Sequence, residues 1–228
     1  MANPYVCAKA LGVKFDSDIL RNLFFDVKKG EFVSIVGKSG VGKSTLLNAL
    51  AGLVDFEGFV KKPEKVSFVF QDNSLFPWMN VEDNIAFALD KKDSKIIEKI
   101  IEVTGLNGKE NNFPHELSGG QQQRVSIGRA LAFNPDLLLL DEPFASLDSF
   151  TRSSMQDWIN ATLFKNKTTT ILVTHDIDEA ILLSDRILVL KNQRLENEFV
   201  VPFNKPRNSE IRYTNQFQEL KKEIYGKY

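Results

Sequence analysis

Short apolar runs alternate with longer amphipathic stretches along this chain. Residues 5–15 and 23–28 alternate partially and predict two strands, parted by the polar turn Asp16-Ser17-Asp18. Phe32-Val33-Ser34-Ile35-Val36 predicts a third strand running into a glycine loop, with a helix continuing over 46–53. Val66–Phe70 reads as another short strand. From about Asn73 to Leu117 the pattern changes to helices with charged faces, notably 81–89 and 93–104. Leu137–Leu140 is then a run of leucines, as expected of a strand buried on both faces of a parallel sheet. Residues 169–173 and 186–190 repeat that pattern, with helices over 149–164 and 176–184 between. Strands alternating with helices imply a parallel sheet with right-handed crossovers. The chain therefore reads as one α/β domain over 1–228. A core of 1–72 and 134–200 is interrupted by a helical subdomain at about 73–133, and a tail, 201–228, ends in an amphipathic helix around 214–225.

Composition narrows the function classes. Lys plus Arg number 29 and Asp plus Glu 30, a net charge of −1 that argues against a generic nucleic-acid or membrane-surface binder. A single cysteine, Cys7, excludes an internal disulfide and fits a reducing compartment, and no Cys/His cluster has zinc spacing. No apolar run approaches the ~20 residues that span a bilayer. Met1-Ala2-Asn3-Pro4 lacks the pattern of a secretion leader. The expectation is a cytosolic protein, or one held at a membrane by something else.

Candidate chemistry starts at Gly37-Lys38-Ser39-Gly40-Val41-Gly42-Lys43-Ser44, which satisfies G-x-x-x-x-G-K-[ST] between a predicted strand and a predicted helix. The glycines let backbone N–H groups wrap phosphate oxygens, and the following helix adds the positive end of its dipole. Lys43 is expected to reach the β- and γ-phosphates, Ser44 to ligate Mg²⁺, and Thr45 to cap or to contact the α-phosphate side. Asp141-Glu142, directly after the leucine run, supplies a carboxylate for Mg²⁺ and a second one to polarise water.

Leu117-Ser118-Gly119-Gly120-Gln121 is a second phosphate-binding nest at a helix start. One phosphate loop plus a second nest suggests a site shared between two copies. With this pentapeptide the sequence resembles the ATP-binding cassette (ABC) family, from about Tyr5 to Asp185. Further positions match in order: Gln71 as the Q-loop, Ser146-Leu147-Asp148 as the D-loop, His175 as the switch histidine, and Phe15 where an aromatic stacks on adenine. Phe15 also reads as a core residue, and His115 as a packing or capping one. Phe70-Gln71-Asp72-Asn73-Ser74-Leu75-Phe76-Pro77-Trp78 is similar to a segment of importers for nitrate, sulfonates and taurine, as are the stretches around Pro114, Asp141 and His175 and the tail from Lys205.

The resemblance implies a P-loop NTPase of the ABC type, with a mixed sheet core and an inserted α-helical subdomain. It implies a head-to-tail homodimer with two ATP, each between Gly37–Thr45 of one copy and Ser118–Gln121 of the other. Glu142 is the implied general base, assisted by His175, with Gln71 at Mg²⁺ or the attacking water, Asp141 and Ser44 at Mg²⁺, and Asp148 coupling the two sites. The implied partners are permease subunits and, indirectly, an extracytoplasmic solute-binding protein, but no nucleic acid. The implied location is the cytoplasmic face of the inner membrane, as a peripheral protein, with Phe76-Pro77-Trp78 in an exposed groove that receives a permease helix. An exporter or lipoprotein-release ATPase, and a soluble ABC ATPase, are the alternatives. The sequence does not name the solute. Two departures from the family pattern stand out. The stretch from Lys43 to Gln71 lacks a hairpin, and Gly128 replaces an alanine in a helix, at ~1 kcal/mol in propensity.

Overall fold

In the computed structural model, which describes residues 4–228, the glycine loop, Gln71, Asp141-Glu142 and His175 all lie at the C-terminal ends of strands of a single sheet. Met1–Asn3, and the reading of the N-terminal leader made from them, lie outside the described residues. The sheet has six strands in the order β5-β6-β7-β3-β8-β9. In chain order these are β3 (Phe32–Val36), β5 (Val66–Val69), β6 (Leu137–Asp141), β7 (Thr169–Thr174), β8 (Arg186–Lys191) and β9 (Arg194–Val200). The first five named run parallel, and β9 is antiparallel to β8. β3, β6 and β7 are buried along their whole length, as the uninterrupted apolar runs require.

A second sheet of three antiparallel strands, β2-β1-β4, is built from β1 (Val6–Lys14), β2 (Asp18–Val27) and β4 (Glu57–Lys61). Helix α1 (Lys43–Ala51) lies between the two sheets, where Leu46, Leu47 and Leu50 join one core with Leu11, Leu23, Ile35 and Leu139. The aliphatic area buried there, at ~25 cal/mol per Å², is the main force holding the two sheets together.

The helical layer consists of α2 (Val81–Ala86), α3 (Ser94–Thr104) and α4 (Gly119–Ala132), with their own core of Val81, Ile85, Ile97, Ile101, Leu106 and Val125. α5 (Ser149–Asn166) and α6 (Ile177–Leu183) pack on the sheet face opposite α1, which α4 also reaches through Ile127 and Ala130, and α7 (Asn215–Tyr225) closes the tail against α6 through Phe217 and Ile224.

The sheet is mixed, as the family resemblance implies and the strand–helix alternation alone does not. β9 returns antiparallel through a turn at Asn192-Gln193, whose residues have φ of 49° and 65°. That left-handed pair is the geometry of a two-residue hairpin, written here without the usual glycine, so it is easily missed. The stretch between Lys43 and Gln71 holds no hairpin of its own; besides β5 it carries the strand β4, at the edge of the second sheet and paired with β1. Its residues are almost all exposed, which removes the periodic signal. Two strand boundaries need correction: the strand expected over 23–28 already starts at Asp18 in β2, and strand 66–70 stops at Val69, so Gln71 lies in the bend beyond it. Gly128 has a packing reason. A Cβ there would come within 3.1 Å of both Ile100 Cγ2 and Thr104 Cγ2, so the glycine permits close approach of α4 and α3.

Candidate nucleotide site

Parallel strands β5, β6, β7 and β3 are neighbours, so the segments leaving their C-terminal ends share one edge. Gln71 follows β5, Asp141 ends β6 with Glu142 next, His175 follows β7, and Gly37 follows β3. The loop 37–42 then turns into α1, whose N-cap, Gly42, has φ of 107° and makes no side-chain cap. Only glycine holds that backbone without strain. At Gly37 the constraint is space: a Cβ would lie 2.5 Å from the Leu190 carbonyl oxygen. Lys38, Ser39 and Gly40 are exposed at the loop tip, while Val41 packs partly on the core and Thr45 is half-buried at the start of α1.

Lys43 is 5 % exposed and turned into the loop. Its Nζ donates to the carbonyls of Gly37 (2.9 Å) and Lys38 (3.2 Å) and lies 3.3 Å from Glu142 Oε1. The other Glu142 oxygen, Oε2, is 2.8 Å from His175 Nδ1. One carboxylate thus bridges the loop lysine and the histidine after β7. Glu142 itself has φ of 42°, a left-handed conformation that a non-glycine residue before proline resists. Its backbone N–H donates to Val173 O at 3.0 Å, which fixes that turn.

Ser44 Oγ donates to Asp141 Oδ1 at 3.0 Å. Burial pushes the Asp141 carboxyl up, against the Ser44 hydrogen bond and the Lys43 charge, with Glu142 adding to the rise. A bound cation would reverse that balance. Among the described residues no group of three or more His, Cys, Asp or Glu is placed to hold a metal. One hydroxyl and one carboxylate are a partial oxygen set, which suits a Mg²⁺ ion that takes its remaining ligands from phosphates and water.

The remaining candidates are distributed around this cluster. Phe15 lies in the β1–β2 turn with its ring 59 % exposed, so the core reading fails and a face is free for stacking. Gln71 is exposed. Ser118 is the N-cap of α4 and exchanges hydrogen bonds with Gln121, 3.3 Å from the Gln121 N–H to Ser118 Oγ and 3.0 Å from the Ser118 N–H to Gln121 Oε1. Gly119 is exposed beside it, and Gly120 is buried against Thr151. The bonds of Ser118 and Gln121 therefore close within the helix start, which faces outward. Asp148 caps α5, accepting from the N–H groups of Phe150 (3.1 Å) and Thr151 (3.0 Å). His115 stands in a 3-10 turn with its ring 6.0 Å from that of Phe113.

Two residues next to the site were not singled out from sequence. Glu179, in the first turn of α6, is 4 % exposed and accepts from Thr174 Oγ1 (2.7 Å) and Gln156 Nε2 (3.1 Å). Burial and the Asp176 charge push its carboxyl up to about 7. Tyr228 donates its hydroxyl to the His175 carbonyl at 3.3 Å. No spacing rule announces either contact, since each depends on how α6 and α7 dock.

A glycine loop closed on a buried lysine, beside a serine–aspartate pair and a glutamate on a strained turn, defines a P-loop nucleotide site. The sequence matches the family described as ABC transporter over residues 20–145. It is 44 % identical over 224 residues to a protein of Bacillus cereus named "Aliphatic sulfonates import ATP-binding protein SsuB", covering 90 % of this chain and 86 % of that one. The fold superimposes on the "Dimeric Structure of MJ0796, a Bacterial ABC Transporter Cassette" with a TM-score of 0.76 at 30 % identity, covering 87 % of this chain and 100 % of that one. A post-hydrolysis dimer of the same cassette, described as bound to ADP and Pi, gives 0.74 at 32 % identity over the same shares. The chain belongs to the ABC transporter family, and it is an ATPase of that family.

Proposed function

We propose that two copies of this chain, arranged head to tail, bind two ATP and use their hydrolysis to drive a membrane importer for a small solute such as nitrate, a sulfonate or taurine. Aliphatic sulfonates are the leading class, with nitrate and taurine close behind. The observation that carries the reading is the Lys43–Glu142–His175 chain of contacts at the strand ends, together with an outward-facing Ser118–Gln121 helix start. The B. cereus relative's name supplies the direction of transport and the solute class. The paired cassettes of the solved relative support the dimer.

In this reading the glycine loop 37–42 and Thr45 hold the phosphates of one ATP, Phe15 stacks on its base, and Ser118–Gln121 of the second copy close over it. Lys43 leaves Glu142 for the γ-phosphate, which frees the carboxylate to take a proton from the attacking water. His175 keeps that carboxylate oriented through its 2.8 Å contact. Ser44, Asp141 and Gln71 would hold Mg²⁺, which neutralises charge on the β- and γ-phosphates. Asp148 faces the interface and couples the two sites. Catalysis is positioning and charge compensation throughout.

Among the described residues no helix is long and apolar enough to cross a membrane. In this reading the membrane path belongs to separate permease subunits. Their docking surface is the aromatic cluster of Phe76, Trp78 and Phe87, with ring centroids 5.6 Å and 4.5 Å apart around Phe76 and Trp78 70 % exposed. The protein then sits peripherally on the cytoplasmic face, and an extracytoplasmic binding protein selects the solute. Mass spectrometry of what co-purifies with the tagged chain from detergent-solubilised membranes tests this. A polytopic permease is the expected result, and recovery of soluble partners alone overturns the transport reading.

A further inference from the structure

β3 and β7 run parallel, so the segments entering β6 and β7 lie at the end of the sheet opposite the nucleotide loop. Between those segments, α3 and α5 lies a cavity of about 860 Å³. That is within the ~300–1,000 Å³ range of small-molecule sites. Its walls are apolar: Ile96, Ile100 and Val103 from α3, Leu131 from α4, and the ring of Trp158 from α5. Of the charged groups around it four are cationic and one is acidic, beside uncharged Asn134, Thr162, Asn166, Thr168 and Thr169. Lys29 follows β2, Lys99 stands on α3, Lys165 lies in the last turn of α5, and Lys167 is its C-cap.

Among the described residues none of these four ammonium groups pairs with a carboxylate. The one acid of the lining, Asp136, is engaged by the Tyr5 hydroxyl. Burial and that carboxylate push the Tyr5 phenol up, so it keeps its proton, and Lys29 Nζ lies 5.5 Å over the same ring. The site has no glycine loop, and the helix start at its rim, that of α3, is already capped by Asp93, unlike the phosphate-serving loop at the other end of the sheet. Unpaired cations around an apolar hollow complement a ligand with one anionic head and a hydrocarbon body.

We propose that this cavity binds a soluble organic monoanion, a carboxylate or sulfonate on an alkyl or aryl body, wedged between α3 and α5. Trp158 Nε1 donates to the Val103 carbonyl, and the Arg124 guanidinium lies 5.9 Å from the Trp158 ring centroid. The wall the ligand touches is therefore also the joint between the helical layer and the core. A ligand contacting Lys99 on one side and Lys165 on the other ties the two together.

The test uses the full chain carrying Trp78→Phe, which leaves Trp158 as the single tryptophan. Octane-1-sulfonate and octanoate are titrated against its fluorescence and, in parallel, by calorimetry, so a silent ring does not decide the result. Octan-1-ol is the uncharged control, and phosphatidylglycerol vesicles represent a lipid headgroup source. The expected result is saturable binding of both anions, with octan-1-ol weaker by about tenfold or more. Lys99→Gln with Lys165→Gln weakens the anions by a similar factor while the thermal melt stays in place. No saturable anion binding overturns the proposal. So does equal binding of octan-1-ol, an unchanged affinity in the double variant, or a response to vesicles alone.

Discussion

The Lys43 ammonium and the Glu142 carboxylate face each other at 3.3 Å, the lysine 5 % exposed and the glutamate held on a left-handed turn. In the proposed machinery two opposite charges thus satisfy one another before any phosphate is present. Desolvating either one alone would be costly, so a γ-phosphate that takes Lys43 must also leave Glu142 a new partner. His175 is the partner within reach, and the attacking water of the proposed mechanism would supply the other.

Replacing Glu142 by Gln keeps the side chain's shape and removes its basicity. Turnover is expected to fall by about 10²–10⁴-fold, the usual worth of a positioned general base, with ATP affinity retained. Steady-state phosphate release and nucleotide binding check this together. Near wild-type turnover takes Glu142 out of the role.

The two glycines of the second nest separate folding from function. A Cβ on Gly120 would meet Thr151 Cγ2 at 2.3 Å, so Gly120→Ala is expected to cost about 1–3 kcal/mol through overpacking. At Gly119 the nearest such contact is Leu147 Cδ2 at 3.8 Å, which is ordinary packing. Gly119→Ala should leave the melting temperature in place yet slow ATP turnover at least about tenfold, because in the proposed dimer the methyl would stand where the second copy's phosphates approach. Unchanged turnover in Gly119→Ala contradicts the shared site.

Glu179 gives the fold a pH dependence of defined sign. Its carboxyl is raised from 4.5 to about 7 by burial first and by Asp176 second, with Thr174, Arg152 and His175 acting the other way. The folded chain therefore holds this proton more tightly than the unfolded one. Its contribution is complete below the unfolded value of 4.5 and is lost as the pH rises through about 7, on the order of 3 kcal/mol in total. Urea unfolding of wild type and Glu179→Gln between pH 5 and 8 reads the difference as a slope present in the first and flattened in the second. Parallel pH profiles would remove Glu179 as the source.

Much of this was legible in the sequence because the signals are local. The apolar runs at Phe32–Val36 and Leu137–Leu140 mark buried strands, and the glycine spacing from Gly37 to Gly42 marks the loop between strand and helix. β4 and β9 were not legible, since β4 buries almost nothing and β9 turns on Asn192-Gln193 without a glycine. Relations set by docking were out of reach as well. The packing of Gly128 against α3 and the Tyr228 contact to His175 both depend on where whole helices come to rest.

The shared site is tested most directly by the mass of Glu142→Gln in solution, read by light scattering with and without ATP. The account predicts a single-chain mass without nucleotide, twice that mass with saturating ATP, and a return to the single chain when Gly119→Asp is added. A chain that stays single at saturating ATP, or a dimer that forms without ATP and survives Gly119→Asp, contradicts it.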